Sequence, residues 1–474
     1  MSTRPSYNNT LQYLYNLEKY GTMLGLERIT ALLKFLGNPQ DKLNIIHIGG
    51  TNGKGSTSAM IASVLQKAGY KVGLYTSPHL SRFNERIRID GREITDKRIV
   101  ELIKRIRKTI RGNGETEKRR NGETKRPIPR FYSAPTFFEF TTAMAFLYFA
   151  EENVDIAVME VGLGGRLDAT NVCNPLVSII TNVAKDHEEM LGNRIRDIAF
   201  EKAGIIKNYG VLISAEAKPA VLKVLTAECK RKRTVFYRLN RDFFIDAKER
   251  GPGFKGSRVQ GAMGSVSLDP WTPRPLFFKG RRWVLKDLKT NLLGKHQYFN
   301  AVCAIAALEV LEEKGYNISE SAVRKGLQNV SWPGRLEVVS KRPFIVLDCA
   351  HNPAGAEVLR DALQNEFKYK RLFLVIGIMA DKDMKGILSR LAPLAYRVVL
   401  TRPKVARAAS LDLLYKKICT YANRIELIGD VKDACSFALS MTDANDMICI
   451  SGSVFTVGEA RDFFIHGGNE ARQK

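Results

Sequence analysis

The run His47-Ile48-Gly49-Gly50-Thr51-Asn52-Gly53-Lys54-Gly55-Ser56-Thr57 constrains this chain more than any other stretch. An apolar segment, Leu43 to Ile48, leads into it as a strand. A helical pattern follows from about Ser58 to Ala68, with Met60, Ile61, Val64 and Leu65 recurring on one face. Strand, glycine turn and helix form a phosphate cradle. Glycines let backbone N–H groups approach phosphate oxygens, the helix N-terminus adds positive potential, and Lys54 supplies a mobile cation. The strict P-loop spacing is not met, because it would need glycine where Ile48 stands and a hydroxyl where Gly55 stands. The plain alternative is a glycine-rich turn with a surface lysine. Gly50, Thr51, Asn52, Gly53, Lys54, Gly55, Ser56 and Thr57 are therefore the first candidates for holding nucleotide phosphates.

The rest of the chain alternates strand and helix around this turn. Residues 10–36 read as helices interrupted by a turn from Gly21 to Ile29. Strands are expected at Val72 to Thr76, Val154 to Val161, Val177 to Thr181 and Val211 to Ser214. The run at Val154 is continuously apolar, as in a buried parallel sheet. Helices are expected at residues 96–110, Thr136 to Ala150, Arg196 to Ile206, Pro219 to Arg231 and Asn300 to Lys314. Arg82 to Ile89 reads as a basic, partly extended arm, and residues 111–130 as a loop. Gly and Pro break residues 234–292 into short β-like runs (Gly251 to Gly256, Pro270 to Pro275), which suggests a small antiparallel subregion. Near Trp332-Pro333-Gly334 the chain is expected to enter a second unit. There, strands at Phe344 to Leu347, Leu372 to Ile376, Arg397 to Leu400 and Met447 to Ile450 alternate with helices such as Ala354 to Asn365 and Leu411 to Ala422. The expected class is α/β: a central P-loop-type, mostly parallel sheet ATPase domain over residues 1–333, then a smaller Rossmann-like α/β domain over residues 334–474. No tandem repeat is visible.

Composition narrows the function classes. No run of about 18 apolar residues occurs, so no membrane span is expected, and Met1 to Asn9 lacks an apolar signal core. The seven cysteines are scattered with no Cys-x-x-Cys pair. A disulfide framework or zinc cluster is not expected, and a cytoplasmic setting fits. The net charge of +25 is partly concentrated between Lys104 and Arg130. Nucleic-acid binding is one reading of such charge, but no aromatic-interleaved or helix-turn-helix pattern accompanies it. A basic protein also attracts polyanionic small molecules. A solvated insertion is the plainest reading of residues 111–130.

Further candidates sit where strands end, the place at which open α/β sheets bind ligands. Glu160 to Asn171 follows one buried strand, and Lys185-Asp186-His187 follows another. A carboxylate and an imidazole at neighbouring strand ends can hold a divalent metal beside a nucleotide. Each also has a plain alternative: Glu160 as a loop carboxylate, His187 as a capping or core histidine.

Taken together, the motifs resemble the folylpolyglutamate synthase/dihydrofolate synthase family of the Mur ligase group. The resemblance rests on Gly50 to Thr57, Thr76-Ser77-Pro78-His79-Leu80, Asn84-Glu85-Arg86-Ile87-Arg88, Phe137-Phe138-Glu139, Glu160 to Asn171, Asp186-His187 and Glu201-Lys202-Ala203-Gly204-Ile205. It continues through His296-Gln297, Asn300-Ala301, Gly334-Arg335, Asp348-Cys349-Ala350-His351-Asn352-Pro353 and Ser451-Gly452-Ser453. The matches run in order along nearly the whole chain.

The resemblance implies an ATP-dependent amide ligase that joins L-glutamate to dihydropteroate, to reduced folates, or to both, through an acyl phosphate. It implies ATP contacts at the glycine loop and at Asn300, Arg335, Asp348 and His351. Magnesium, as two ions, would be held by Ser77, Glu160 and His187, and a monovalent cation is a further possibility. Lys202 matches a lysine that is carbamylated in relatives, which would make it a metal-facing anion; the plain alternative is a salt-bridged helix lysine. Lys54, His187 and Lys202 would be the catalytic set. The pterin or folate would lie against Thr136, Phe137, Phe138, Glu139, Leu167, Asp168, Ala169 and Arg86, although Phe137 and Phe138 also read as core at the start of an apolar helix. Dihydropteroate-using relatives can carry aspartate just before the Leu-Gly-Leu-x-Arg turn, where this chain has Met23. A folylpolyglutamate synthase without the dihydropteroate activity is therefore the second reading. A peptidoglycan-type Mur ligase would need a further domain ahead of the phosphate loop, and a basic nucleic-acid-binding ATPase is the reading from another class. The expected partners are small molecules (ATP, L-glutamate, dihydropteroate or folates), with no membrane or nucleic acid, and a monomer is expected.

Overall fold

The structure is a computed structural model and describes residues 4–21, 23–112, 134–246 and 275–466. Its first sheet has eight strands: β1 (Ile45–Gly49), β2 (Val72–Tyr75), β3 (Ile87–Ile89), β4 (Arg92–Glu93), β5 (Ile156–Glu160), β6 (Val177–Ile180), β7 (Val211–Ser214) and β8 (Val235–Arg238). Their order is β4-β3-β2-β5-β1-β6-β7-β8. All pairings are parallel except β2–β3 and β3–β4. The central strands are buried on both faces, as their unbroken apolar runs require.

Helices cover both faces. One layer holds α1 (Arg4–Tyr15), α2 (Glu27–Phe35), α4 (Asp96–Gly112) and α5 (Phe137–Glu151) over a core that includes Tyr75, Phe140, Phe146 and Phe149. The other holds α3 (Lys54–Lys67), α9 (His296–Glu313) and α10 (Glu320–Asn329) over Ile48, Met60, Val158 and Ile305. The alanine-rich α9 is buried nearly end to end, and its small side chains allow this close approach. Between these lie α6 (Glu188–Leu191), α7 (Ile195–Ala203) and α8 (Pro219–Lys232), the last two closing a smaller core with Ile180 and Leu212.

Residues 234–292 divide differently from expectation. A small antiparallel sheet does form, from β9 (Phe244–Asp246), β10 (Leu276–Lys279) and β11 (Val284–Leu288). Val235–Arg238 instead extends the large sheet, paired parallel to β7 through Ile213↔Tyr237. That edge offered unpaired backbone groups, and pairing satisfies them. Gly251 to Gly256, and Pro270 to Pro275 except Pro275 itself, lie outside the described residues, as does the stretch 113–130 of the expected loop; Arg111 and Gly112 end α4.

A second sheet follows, built from β12 (Glu337–Lys341), β13 (Phe344–Leu347), β14 (Leu372–Ile376), β15 (Arg397–Leu400), β16 (Ile425–Leu427) and β17 (Met447–Ser451). The order is β12-β13-β17-β14-β15-β16, with only β12 antiparallel. The helices α11 (Pro353–Asn365), α12 (Met384–Leu391) and α13 (Leu411–Ile418) cover one face, and α14 (Val431–Ser440) and α15 (Val454–His466) the other. The short strands β12 and β16 add to the four strands that the sequence pattern marks in this half. The two sheets meet closely: a Cβ on Gly458 of α15 would lie 2.1 Å from the Leu80 carbonyl oxygen, after β2.

Candidate active site

Register in the first sheet sets the site. Ile48 of β1 pairs with Glu160, Tyr75 of β2 with Met159, and Gly49 with Ile180 of β6. The glycine loop, Ser77, Glu160 and Thr181 therefore leave the sheet at one level. The helix after the loop begins at Lys54, four residues earlier than the apolar pattern indicates. Gly55, Ser56 and Thr57 are poor helix formers, but burial of this turn in the tertiary structure overrides propensity.

The loop is fixed from below. Thr51 N donates to Asn182 O at 2.8 Å, and Asn52 N to the Asn182 side chain at 3.0 Å. The Thr181 hydroxyl donates to Asn52 O at 2.7 Å. Gly50 has φ +138°, and a Cβ there would lie 2.0 Å from the Thr181 hydroxyl oxygen, so only glycine fits. Gly53 caps α3 at φ +85° with no side-chain cap. The first N–H groups of α3 are thus left for an anion. Lys54 Nζ donates to the Gly50 and Thr51 carbonyls at 3.2 and 3.1 Å, and the Thr57 hydroxyl oxygen is buried without a partner.

Lys202, on α7, reaches the same loop: its Nζ donates to Gly50 O at 3.0 Å. It is buried, and burial together with the nearby Lys54 charge brings its pKa down to about 7. A desolvated amine is neutral in a substantial fraction near that pH, and the neutral form is the one able to add carbon dioxide. The packing of α7 fixes this position: Gly204 lies against Arg166, where a Cβ would be 2.2 Å from the Arg166 Cα, and Arg166 pairs with Glu201 at 2.9 Å.

Glu160 is buried, and its only hydrogen bond among the described residues comes from Ser77 N at 3.1 Å. Burial raises its pKa, opposed by Lys54, that Ser77 bond and Arg335. A divalent ion taking Glu160 and the Ser77 hydroxyl as hard oxygen donors fits this under-compensated carboxylate. His187 is placed differently. It stands in left-handed conformation at φ 52°, burial pushes its pKa down to about 4, and Nε2 accepts from Lys382 at 3.2 Å. A neutral imidazole can ligate a metal, but that lone pair is engaged. Among the described residues no group of three or more His, Cys, Asp and Glu side chains forms a ready metal cluster.

The expected folate residues form one neighbourhood. Phe137 stacks on Tyr15 at 5.9 Å between centroids and meets Phe83 edge-on, while the buried Arg86 lies 5.2 Å from its ring. Burial lowers the Arg86 pKa, and its Nε donates to His79 Nδ1 at 2.8 Å. Phe138 lies against the start of the 162–171 loop, where a Cβ on Gly162 would be 2.4 Å from its ring. Glu139 is occupied structurally: it closes a capping box with Thr136 at the start of α5 and pairs with Arg28 Nε at 3.0 Å. Asp168 holds its own loop, accepting from Leu163 N at 2.8 Å and from Thr170, and burial raises its pKa. Leu167 is half-buried beside it, and Ala169 joins the α5 core.

The second sheet supplies the opposite wall. A cavity is lined by Gly55, Ser77 and Glu160 on one side and by Arg335, Cys349 and Val454 on the other, with Trp332 between. Asp348 accepts from Leu336 N and Ala350 N, both at 2.9 Å. Asn300 touches Gly53 and donates to Gln297 Oε1 at 2.8 Å. His351 Nε2 lies 3.5 Å from Asp186 Oδ2. Three residues with no site role assigned from the sequence join the two halves. Asn352 exchanges side-chain hydrogen bonds with Asn52 (3.0 and 3.3 Å) and donates to Asp186 at 3.0 Å, and Lys382 Nζ donates to Asp186 Oδ1 at 2.7 Å. Trp332 is the third, against Gly55. Lys382 lies in Asp381-Lys382-Asp383, shortly beyond β14, so the strand-end rule alone could have nominated it.

Known proteins match this chain along nearly its whole length. Residues 99–308 match the Mur ligase middle domain and residues 334–454 the Mur ligase glutamate ligase domain. The Bacillus subtilis dihydrofolate synthase/folylpolyglutamate synthase is 35% identical over 458 residues, covering 96% of this chain and 98% of that one. The Mycobacterium tuberculosis folylpolyglutamate synthase, solved with ADP and AMPPCP, superimposes with a TM-score of 0.83 at 34% identity, over 97% of this chain and 99% of that one. The Escherichia coli FolC complex with DHPP and ADP gives 0.81 at 28% identity, over 98% of both chains.

Proposed function

The chain belongs to the folylpolyglutamate synthase/dihydrofolate synthase family of Mur ligases, and from that premise we propose an ATP-dependent ligase that adds L-glutamate to dihydropteroate and to reduced folates. The observation that carries this reading is the seam itself. A phosphate loop with two lysine amines at one carbonyl, those of Lys54 and Lys202, faces a second-sheet wall carrying Arg335.

The chemistry follows from charge and leaving-group ability. A free carboxylate is a poor electrophile. The substrate carboxylate attacks the γ-phosphorus of ATP, the bond to the β-phosphate oxygen breaks, and ADP leaves. The glutamate amine then attacks the acyl carbon, loses a proton, and phosphate departs carrying one carboxylate oxygen. The α3 N–H groups and Lys54 hold the β- and γ-phosphates, and Arg335 offers a further positive charge across the cavity. Magnesium held by Ser77, Glu160, His187 and a carbamylated Lys202 would supply charge neutralisation between phosphate and carboxylate. Asn300, Asp348 and His351 complete the nucleotide side. Phe137, Phe138, Leu167 and Arg86 offer flat apolar and cationic surface for a pterin, with Thr136, Glu139, Asp168 and Ala169 shaping it. The reading takes residues 1–333 and 334–474 as the two domains, and one chain as the working unit because both walls come from it.

Met23 supports the second reading, a folylpolyglutamate synthase alone. The purified enzyme, given ATP and glutamate with either dihydropteroate or tetrahydrofolate, decides between them by ADP release and product mass. Glutamate- and folate-dependent ADP release with both acceptors is expected. Release with tetrahydrofolate alone selects the narrower enzyme, and turnover stimulated by DNA or RNA instead would contradict both.

A further inference from the structure

Lys382 belongs to none of the motifs that define the site, yet it makes the most direct charged contact across it. Its ammonium donates to Asp186 Oδ1 at 2.7 Å and to His187 Nε2 at 3.2 Å, with 8% of its side chain exposed. Asp186 and His187 follow β6 of the first sheet, and Lys382 follows β14 of the second. Asp186 also receives Asn352 Nδ2 at 3.0 Å and lies 3.5 Å from His351. Asn352 caps α11 and exchanges bonds with Asn52 in the phosphate loop.

An imidazole nitrogen has one in-plane lone pair. When it accepts from an ammonium, it cannot at the same time bind a metal. Lys382 and a divalent ion are therefore alternative partners of His187 Nε2, and both are cations, so they also repel. The His187 backbone is held in left-handed conformation, with its N–H donating to Asp186 Oδ1 at 3.0 Å. That backbone anchor does not depend on Lys382. Asp186 keeps its bond from Asn352, so the two sheets stay joined as the lysine shifts.

We propose that Lys382 gates the metal position: its ammonium holds His187 Nε2 across the domain seam, and a divalent ion must displace it. This rests on the reading of His187 as a metal ligand given above. Competition of this kind makes metal affinity depend on a residue of the other domain and couples metal entry to the contacts that hold the seam.

The test is Mn2+ binding to the full-length, nucleotide-free protein, read by the free-ion electron paramagnetic resonance signal. Lys382→Met and Lys382→Gln, compared with the parent by thermal melting to verify folding, are both expected to bind Mn2+ about tenfold more tightly. In a His187→Ala background the same substitutions are expected to change affinity little. Equal or weaker binding in both Lys382 variants overturns the proposal. So does tighter binding that persists without His187, because the effect would then be charge removal near Asp186. If His187→Ala leaves Mn2+ binding unchanged in every background, the metal reading of His187 falls and the gate with it. The proposed ligase activity is judged separately, by glutamate- and folate-dependent ADP release in the unsubstituted enzyme, so the two failures are distinguishable.

Discussion

Lys54 and Lys202 converge on the Gly50 carbonyl from different helices, an arrangement that only an anion or a change in one lysine relieves. For Lys54 the proposed anion is the nucleotide. Lys54→Ala is expected to leave the fold intact, since its bonds are to two loop carbonyls, and to cost about 3 kcal/mol of transition-state stabilisation, a rate loss of roughly a hundredfold or more. Steady-state rates at saturating ATP measure this, and near-normal turnover would remove Lys54 from the mechanism. For Lys202 the proposed change is carbamylation, which would replace a buried amine by an anion. Lys202→Ala is expected to be nearly inactive, with acetate or formate partly restoring the rate by standing in for the carbamate. Full activity without added acid would make Lys202 a structural helix residue. Glu160→Gln and His187→Ala should each raise the magnesium concentration needed for half-maximal rate. An unchanged magnesium titration in both would move the metal site elsewhere.

At the scale of elements, the loop 162–171 and α7 act as one piece, because Gly204 and Gly165 bring backbone against backbone. Gly204→Ala places a Cβ 2.2 Å from Arg166 Cα, and Arg166 cannot retreat without moving the loop that holds Asp168. A loss of about 1–3 kcal/mol is expected, read as a lowered denaturation midpoint; an unchanged midpoint would show that α7 shifts freely. Such pairings also explain what the sequence conveys. The strand–glycine loop–helix unit is legible because its requirements are local: positive φ at Gly53, an apolar strand before it, a lysine after it. The start of α3 is less so, because Gly55 to Thr57 are helical only through burial. The capping box Thr136-x-x-Glu139 is a local signal, and it gives Glu139 a structural task at the site where a pterin contact is proposed. The placement of β8 in the large sheet depends on an open edge, which no local pattern records. The Asn52–Asn352 pair spans 300 positions, so periodicity carries no trace of it.

For the whole molecule, two sheets present their strand ends to a common seam, and each brings what the other lacks. The first brings the phosphate loop, Glu160 and the Phe137 neighbourhood; the second brings Arg335, Asp348 and Lys382. The net charge of +25 suits a protein whose proposed substrates are all anions, raising their concentration near the surface. No helix among the described residues is long and apolar enough to cross a membrane. The central claim is that the seam activates a carboxylate by phosphorylation before the amine attacks. The most direct measurement uses dihydropteroate or tetrahydrofolate labelled with 18O in the carboxylate, with ATP, glutamate and the purified enzyme, and mass analysis of the released phosphate. One 18O atom transferred to each phosphate is the predicted result. Unlabelled phosphate formed in step with ligated product would contradict the acyl-phosphate route and the role assigned to the seam.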